Sequence, residues 1–188
     1  YRKRLSKPRR RRIALAEQTA NPLYLQALLE ELRVFGVHEY LDQRIDHYLA
    51  AQSVPELYGK ILQRWEGDYE RNRPGLVRDA MTALWAARRG LSETELLEIL
   101  APRKQRRRTA SWWKRLWLNR ATAEQSPLPR AHWSPLYLAA EKSLVNRAGL
   151  IGFAHQHLRL AVWGRYLHTE GKRKAAHLRL AGYFEHQP

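Results

Sequence analysis

Residues 143–162 read SLVNRAGLIGFAHQHLRLAV, a stretch that predicts two short strands followed directly by a helix. The two apolar segments flank residues 146–149, whose composition is typical of a tight turn. The second segment ends at His155, and apolar residues then recur at helical spacing without an intervening glycine or proline. We therefore expect His155 at the junction of a strand and a helix, where two rigid elements direct its side chain.

Upstream of this hairpin, the sequence carries the start signals of several helices. Pro22 follows a capping asparagine, and leucines then recur at helical spacing until a glycine at position 36. Ser53 and Ser92 each precede a glutamate by three residues, which is the pattern of a capping box. A Ser-Pro pair at 134–135 predicts the start of another helix. Residues 74–89 also show helical spacing and are followed by a glycine at position 90. This helix and the two predicted from 92 and 134 precede the hairpin, and three helices followed by a hairpin is the element order of a winged helix.

These patterns predict a mainly all-α chain with a small β-hairpin. A basic lead-in over residues 1–12 is followed by a helical bundle subdomain over 13–73 and a winged-helix subdomain over 74–186. A basic, tryptophan-rich insert over 103–130 interrupts the second unit. With 188 residues there is room for one ordinary domain or two small ones. Since the sequence begins with tyrosine instead of methionine, we interpret it as a piece of a longer polypeptide.

The net charge of +16 is concentrated in two strips, residues 2–12 and 103–120. Each strip contains eight basic residues and no acidic residue, and the rest of the chain balances 18 basic against 18 acidic residues. A basic body that binds nucleic acid therefore does not follow from the charge alone. The strips could contact nucleic acid or an acidic partner through Arg9, Arg10, Arg11, Arg12, Arg103, Lys104, Arg106, Arg107 and Arg108.

The second strip also contains tryptophans that could share a helical face. Such a segment can lie at a membrane interface or bind nucleic acid by stacking and charge. The alternative that we favour is an insertion in the winged helix that is partly disordered, or whose tryptophans pack on the body of the protein or on a neighbouring subunit.

Several classes of function lack their sequence motifs here. The chain has no cysteine, which excludes disulfides and thiolate metal sites and suits a cytoplasmic location. No apolar run reaches the length of a membrane span, and no signal peptide opens the chain. No phosphate-binding glycine loop, HExxH or GxSxG motif is present. His155 and His157 have no carboxylate at a spacing that would complete a metal site.

Four segments in series resemble the region that follows the nucleotide-binding core in STAND-class NTPases of the NACHT and NB-ARC group. They are ANPLYLQALLEELRVFG at 20–36, RRGLSETELLEIL at 88–100, PLPRAHWSPLYLAAEKSLVNRAGLIGFAHQHLRLAVWGRYL at 127–167 and HLRLAGYFEHQP at 177–188. The last three are similar to the winged-helix subdomain of the branch that contains telomerase-associated protein, nephrocystin and bacterial NACHT proteins.

This resemblance implies a bound ADP or ATP, with Mg²⁺ supplied by a nucleotide-binding domain upstream of the present chain. Pro22 matches the proline that packs on the adenine, and His155 matches the winged-helix histidine that reaches the β-phosphate of ADP. Gln156 stands where the plant version of the motif has aspartate. A hydrogen bond from His155 to a phosphate would contribute about 1.5–3 kcal/mol, a suitable strength for a contact that must open.

The function implied by the resemblance is a nucleotide-dependent switch that controls homo-oligomerisation, as in bacterial antiviral defence. The fragment itself would have no ATPase activity, the full-length protein would be a slow ATPase, and sensor repeats would follow in the same chain. The alternative is a winged-helix module that binds nucleic acid through the two basic strips. A third alternative is an interaction scaffold whose nucleotide site has degenerated.

Overall fold

A computed structural model describes residues 4–34, 38–101 and 126–185. Within these residues the chain is mainly helical with one small sheet, as predicted. The helices are α1 (Lys7–Leu15), α2 (Pro22–Val34), α3 (Leu41–Leu49), α4 (Val54–Tyr69), α5 (Leu76–Ala86), α6 (Glu93–Ile99), α7 (Arg130–Ala140), α8 (Gln156–Tyr166) and α9 (Glu170–Phe184). The strands are β1 (Leu91–Ser92), β2 (Leu144–Arg147) and β3 (Leu150–Phe153). None of the described helices is long and apolar enough to cross a bilayer.

Residues 7–12 of the basic lead-in form the first part of α1, which packs beside α3. Arg9 donates two hydrogen bonds to Asp42, and Arg12 forms an ion pair with Asp46. Ile13 is buried in the common core. The described part of the lead-in therefore makes specific contacts through Arg9 and Arg12, whereas Arg10 and Arg11 are exposed.

A buried polar network joins α2, α3 and α4. The Glu31 carboxylate accepts hydrogen bonds from the Tyr48 hydroxyl at 2.9 Å and from Arg64 at 2.5 and 3.1 Å. Burial raises the pKa of Tyr48, and the neighbouring Glu31 charge raises it further. These hydrogen bonds and the positive charge of Arg64 compensate the buried charge of Glu31, which an apolar core requires.

The predicted helix starts are partly confirmed. Ser92 forms a complete capping box with Glu95 at the start of α6. Ser53 caps α4, but Glu56 accepts from the backbone N–H of Gln52 instead of that of Ser53, so the second half of that predicted box is wrong.

Two other predicted boundaries differ from the structure. α5 begins at Leu76, after Gly75 in the left-handed region, and not at residue 74. α7 begins at Arg130, so Pro135 lies inside the helix instead of starting it. Proline is favoured at a helix start because it lacks a backbone N–H. The Ser-Pro pair by itself does not show whether the helix has already begun.

The sheet has three antiparallel strands in the order β1-β3-β2, one more than the predicted hairpin. Leu91 pairs with Ile151, and Leu144 pairs with Phe153. The turn between β2 and β3 has Ala148 and Gly149 at positive φ, and the Asn146 side chain accepts from the Gly149 N–H at 3.0 Å. One face of the sheet is buried through Leu91, Leu144 and Ile151.

The core runs continuously from the first helices to the sheet and α8. Trp65 of α4 and Trp133 of α7 are each 1% exposed. α9 lies on α5 and α6 and contributes only partly buried side chains, among them Leu180 and Tyr183.

Candidate functional site

His155 lies at the junction that the sequence predicts, where it is the N-cap residue of α8. Its Nδ1 accepts a hydrogen bond from the backbone N–H of Leu158 at 3.4 Å. Its Nε2 lies 2.9 Å from the hydroxyl of Tyr58 on α4. Both ring nitrogens therefore have partners within the protein, and the histidine connects α4 to the start of α8.

The direction of the hydrogen bonds follows from this cap. Because Nδ1 accepts, the neutral ring carries its proton on Nε2 and donates it to the Tyr58 oxygen. The Tyr58 hydroxyl can then donate to the Ser143 hydroxyl, which lies 3.1 Å away just before β2. Burial lowers the pKa of His155, and the nearby His157 lowers it further, although an interaction with the backbone of His155 itself raises it. The His155–Tyr58–Ser143 relay thus favours a neutral histidine.

Pro22 is the first residue of α2 and is exposed. The Asn21 side chain accepts from the backbone N–H groups of Leu23 at 3.0 Å and Tyr24 at 3.4 Å. These contacts are those of an ordinary helix start. Pro22 lines neither the relay nor the cleft described below, so the structure does not bring the two predicted nucleotide contacts into one site.

The predicted basic contacts divide into three sets. Arg9 and Arg12 are engaged with acidic residues of α3, whereas Arg10 and Arg11 are exposed on α1. The remaining predicted residues, Arg103, Lys104, Arg106, Arg107 and Arg108, lie outside the described residues.

A cleft of about 370 Å³ crosses the outer face of the sheet. Val145 pairs with Gly152 and Arg147 pairs with Leu150, so these four residues share the face opposite the buried one. The C-terminal end of α5 and the start of α8 form its walls. The lining residues are Leu84, Ala87, Arg88, Arg89, Gly90, Val145, Arg147, Leu150, Gly152, Phe153, His155, Gln156 and Arg159.

Four arginines make this cleft strongly basic: Arg88, Arg89, Arg147 and Arg159. No carboxylate lines it, and none of the four forms an ion pair in the part of the chain that the structure describes. The guanidinium of Arg159 lies over the ring of Trp85, 5.0 Å from its centroid. This stacking restrains one arginine and leaves its charge at the cleft.

Two glycines form the floor of this arginine cleft. Gly90 has φ +91, and a Cβ there would lie 2.6 Å from the carbonyl oxygen of Ile151. Gly152 has an ordinary φ, and its nearest neighbour for an added Cβ would be the Gly90 Cα at 3.9 Å. The absence of a side chain at position 152 therefore keeps the cleft open without being required by the backbone.

The sequence pattern did not reveal this cleft because its arginines are scattered. They come from the segment after α5, from β2 and from α8, outside both charged strips. The sequence shows Arg-Arg-Gly at 88–90. The place of these residues at the cleft depends on the pairing of β1 with β3, and the sequence analysis does not predict β1.

Across the described ranges, no group of three His, Cys, Asp or Glu side chains could hold a metal ion. The buried side-chain atoms there that lack a hydrogen-bond partner are Nε1 of Trp65 and Nδ1 of His157. Two isolated nitrogens do not form a metal site.

The relatives of this chain carry tetratricopeptide names. A TPR repeat-containing protein of Dictyostelium discoideum is 32% identical over 98% of this chain and 10% of its own length. Tetratricopeptide repeat protein 41 of Rattus norvegicus is 28% identical over 86% of this chain and 13% of its own length. The mouse protein of the same name is 28% identical over 76% of this chain and 11% of its own length. No known family profile and no solved structure matches the chain.

These relatives correct the identification made from the sequence. Their names point to tetratricopeptide repeat proteins, so the predicted membership in the STAND-class NTPases is wrong. The ADP/ATP-dependent switch of oligomerisation and its role in defence are wrong with it, and the nucleic-acid-binding alternative finds no support. The chain spans about a tenth of the length of the curated relatives it matches.

Proposed function

We propose that this chain is a protein-binding region of an interaction scaffold that includes tetratricopeptide repeats. The names of the relatives support this, and so does the chain's mainly helical architecture. In this proposal the chain contributes a binding surface and no catalytic group, and the repeats of the same longer protein are its neighbours. We also propose a cytoplasmic location, in keeping with the absence of cysteine.

We further propose two structural units. Helices α1 to α4 form the first, so its boundary moves upstream of residue 13 to include α1. Residues 74–186, with the insert at 103–130, form a winged helix. The order α5, β1, α6, α7, β2, β3 and the strand order β1-β3-β2 support this assignment. The relay through Tyr58 and His155 joins the two units.

The observation that carries the functional proposal is the arginine cleft. Its four guanidinium groups have no carboxylate partner within the described chain, so an acidic partner would supply the missing countercharge. Arginine favours such pairing because its planar group matches a carboxylate with two parallel hydrogen bonds. The volume of about 370 Å³ lies within the usual range of binding pockets. A surface segment of a partner protein rich in aspartate and glutamate fits this site.

The test is binding of a fluorescent Asp/Glu-rich peptide to the 188-residue chain, followed by anisotropy. We expect the double variant Arg88→Glu/Arg89→Glu to weaken binding by about tenfold or more, because it replaces attraction by repulsion in the cleft. The matched control is Arg10→Glu/Arg11→Glu, which changes the net charge equally on exposed residues of α1.

The control should weaken binding much less, and added salt should weaken binding to the unaltered chain. Equal losses in both double variants would show that overall charge, and not the cleft, attracts the peptide. Such a result would contradict the proposed function.

A further inference from the structure

We propose that the arginine cleft recognises a protein segment in which one apolar side chain is flanked by carboxylates. This inference rests on the proposed function, because it specifies which acidic partner the cleft selects. It follows from where charge and apolar surface lie in the cleft. The arginines surround its rim, and apolar residues form its floor.

The floor is apolar and has a gap in its centre. Val145 and Leu150 project from β2 and β3 on the outer face of the sheet, and Gly152 lies between them without a side chain. Leu84 of α5 adds to the apolar wall. Leu150 is 36% exposed, so its apolar surface faces solvent in the free protein. An apolar side chain placed over Gly152 would remove this surface from water.

The arginines surround the floor from three sides. Arg88 and Arg89 follow the end of α5, Arg147 ends β2, and Arg159 is the fourth residue of α8. A single carboxylate pairs with one guanidinium through two parallel hydrogen bonds, so it would leave most of the four arginines without a partner. A segment with carboxylates on both sides of its apolar residue could pair with arginines on opposite walls while that residue lies on the floor.

The apolar floor also discriminates against a polymer of phosphates. Moving a phosphate from water onto apolar surface without a hydrogen-bond donor is unfavourable, whereas an apolar side chain gains from the same transfer. The ring of Trp85 is not free for base stacking, because Arg159 lies over its face. A protein segment therefore fits the cleft better than single-stranded nucleic acid does.

The experiment compares two peptides of identical charge in the same anisotropy assay. Each has acidic residues on both sides of one central position, which is leucine in the first peptide and serine in the second. We expect the leucine peptide to bind about tenfold more tightly, because only leucine buries apolar surface on the floor. An oligonucleotide of mixed sequence serves as the competing polyanion.

The variant Gly152→Val tests the floor while leaving all four arginines in place. Valine is favourable in a strand, and an added Cβ meets nothing closer than 3.9 Å, so the backbone at this position accepts a side chain without strain. We expect it to abolish the preference for leucine by filling the central gap. If this variant fails to fold by circular dichroism, Leu150→Ser removes apolar surface from the floor and should reduce the same preference.

Three results would contradict the inference, and they differ in what they mean for the proposed function. Equal binding of both peptides, with the charge-reversal variant still weakened, would overturn this inference and leave the proposed function standing. No binding of either peptide would overturn both. Equal competition by the oligonucleotide against unaltered protein and Gly152→Val would overturn the inference in favour of a nonspecific polyanion surface.

Discussion

Tyr58 connects parts of the chain that are far apart in sequence. Its side chain is 2% exposed, and its hydroxyl lies within hydrogen-bond distance of Ser143 and His155, 85 and 97 residues away. A buried hydroxyl that loses its partners is costly, so each member of the relay restrains the other two. The relay thus fixes the start of α8, and with it one wall of the arginine cleft, relative to α4.

The residue-scale prediction concerns Tyr58→Phe. Removing the hydroxyl leaves the His155 N–H and the Ser143 hydroxyl without this partner, and we expect a loss of about 1–3 kcal/mol in the free energy of unfolding. Urea denaturation followed by circular dichroism measures it. Tyr40→Phe is the control, because Tyr40 is 55% exposed and should lose almost nothing. Equal stability of Tyr58→Phe and the unaltered chain would show that the relay contributes no net free energy.

The position of His155 was predictable from sequence, but its role was not. The strand-to-helix junction follows from the local pattern, which also places an N-cap there. Its partner Tyr58 is one of several aromatic residues along α4, and no local pattern distinguishes it from a core residue. The resemblance supplied a phosphate as partner, whereas the structure supplies a tyrosine hydroxyl.

At the scale of elements, β1 decides the shape of the sheet. It has only two residues, and its pairing with β3 brings the Arg-Arg-Gly turn onto the cleft. Gly90, just before β1, combines positive φ with close contact to the backbone of Ile151. Only glycine satisfies both requirements without strain.

The element-scale prediction is therefore that Gly90→Ala destabilises the protein by about 2–4 kcal/mol, because the added methyl group strains φ and collides with a carbonyl oxygen. Thermal unfolding measures the loss. Gly152→Ala, the neighbouring strand glycine, has space and an ordinary φ and should change stability by about 0.5 kcal/mol or less. A Gly90→Ala protein as stable as this control would show that β1 is not held as described.

The helices were largely predictable because capping residues and leucine periodicity are local signals. β1 was not, since two residues cannot show an alternating pattern, and its pairing depends on residues about 60 positions later. The predicted helix start at Pro135 was wrong for a related reason. Nothing local to the Ser-Pro pair indicates that α7 already begins at Arg130.

On the scale of the whole molecule, ionic contacts join α8 and α4. Glu66 accepts hydrogen bonds from Arg165 at 2.9 and 2.5 Å and from Tyr166 at 2.5 Å. Burial raises the pKa of Glu66, but these hydrogen bonds outweigh burial and hold the pKa below its ordinary value. The contacts between α4 and α8 therefore depend on a charged carboxylate and a neutral histidine at the same time.

The whole-molecule prediction is a loss of stability on mild acidification. Burial lowers the pKa of His155 from 6.5, so the unfolded chain binds the proton more readily than the folded one. The free energy of unfolding should then fall as the pH drops below about 6.5. Protonation of His47 should lower the free energy of unfolding in the same way, because burial and the charges of Lys60 and Arg44 lower its pKa. Glu66 should reduce stability only at more acidic pH, because its pKa is lowered and its protonation would break its hydrogen bonds with Arg165 and Tyr166.

Urea denaturation at a series of pH values measures this dependence. His155→Asn provides the comparison, because asparagine keeps an N-cap acceptor but does not titrate. The titratable neighbours in contact with His155, Tyr58 and His157, stay in place in this variant. We expect His155→Asn to reduce the pH dependence above the range in which carboxylates titrate, and the contribution of His47 should remain. An unchanged slope would indicate that His155 titrates alike in folded and unfolded chains.

α9 differs from the other long helices in how it is attached. None of its residues, all of which the structure describes, is buried. Arg179 donates to the Ile99 carbonyl, and Tyr183 donates to Glu98 at 2.5 Å. Polar contacts near solvent break more readily than a packed core, so this helix should peel away in a local opening that leaves the sheet intact. Its amide protons would exchange with solvent earlier than those of α4, and a pulling force at the C-terminal end would release it first.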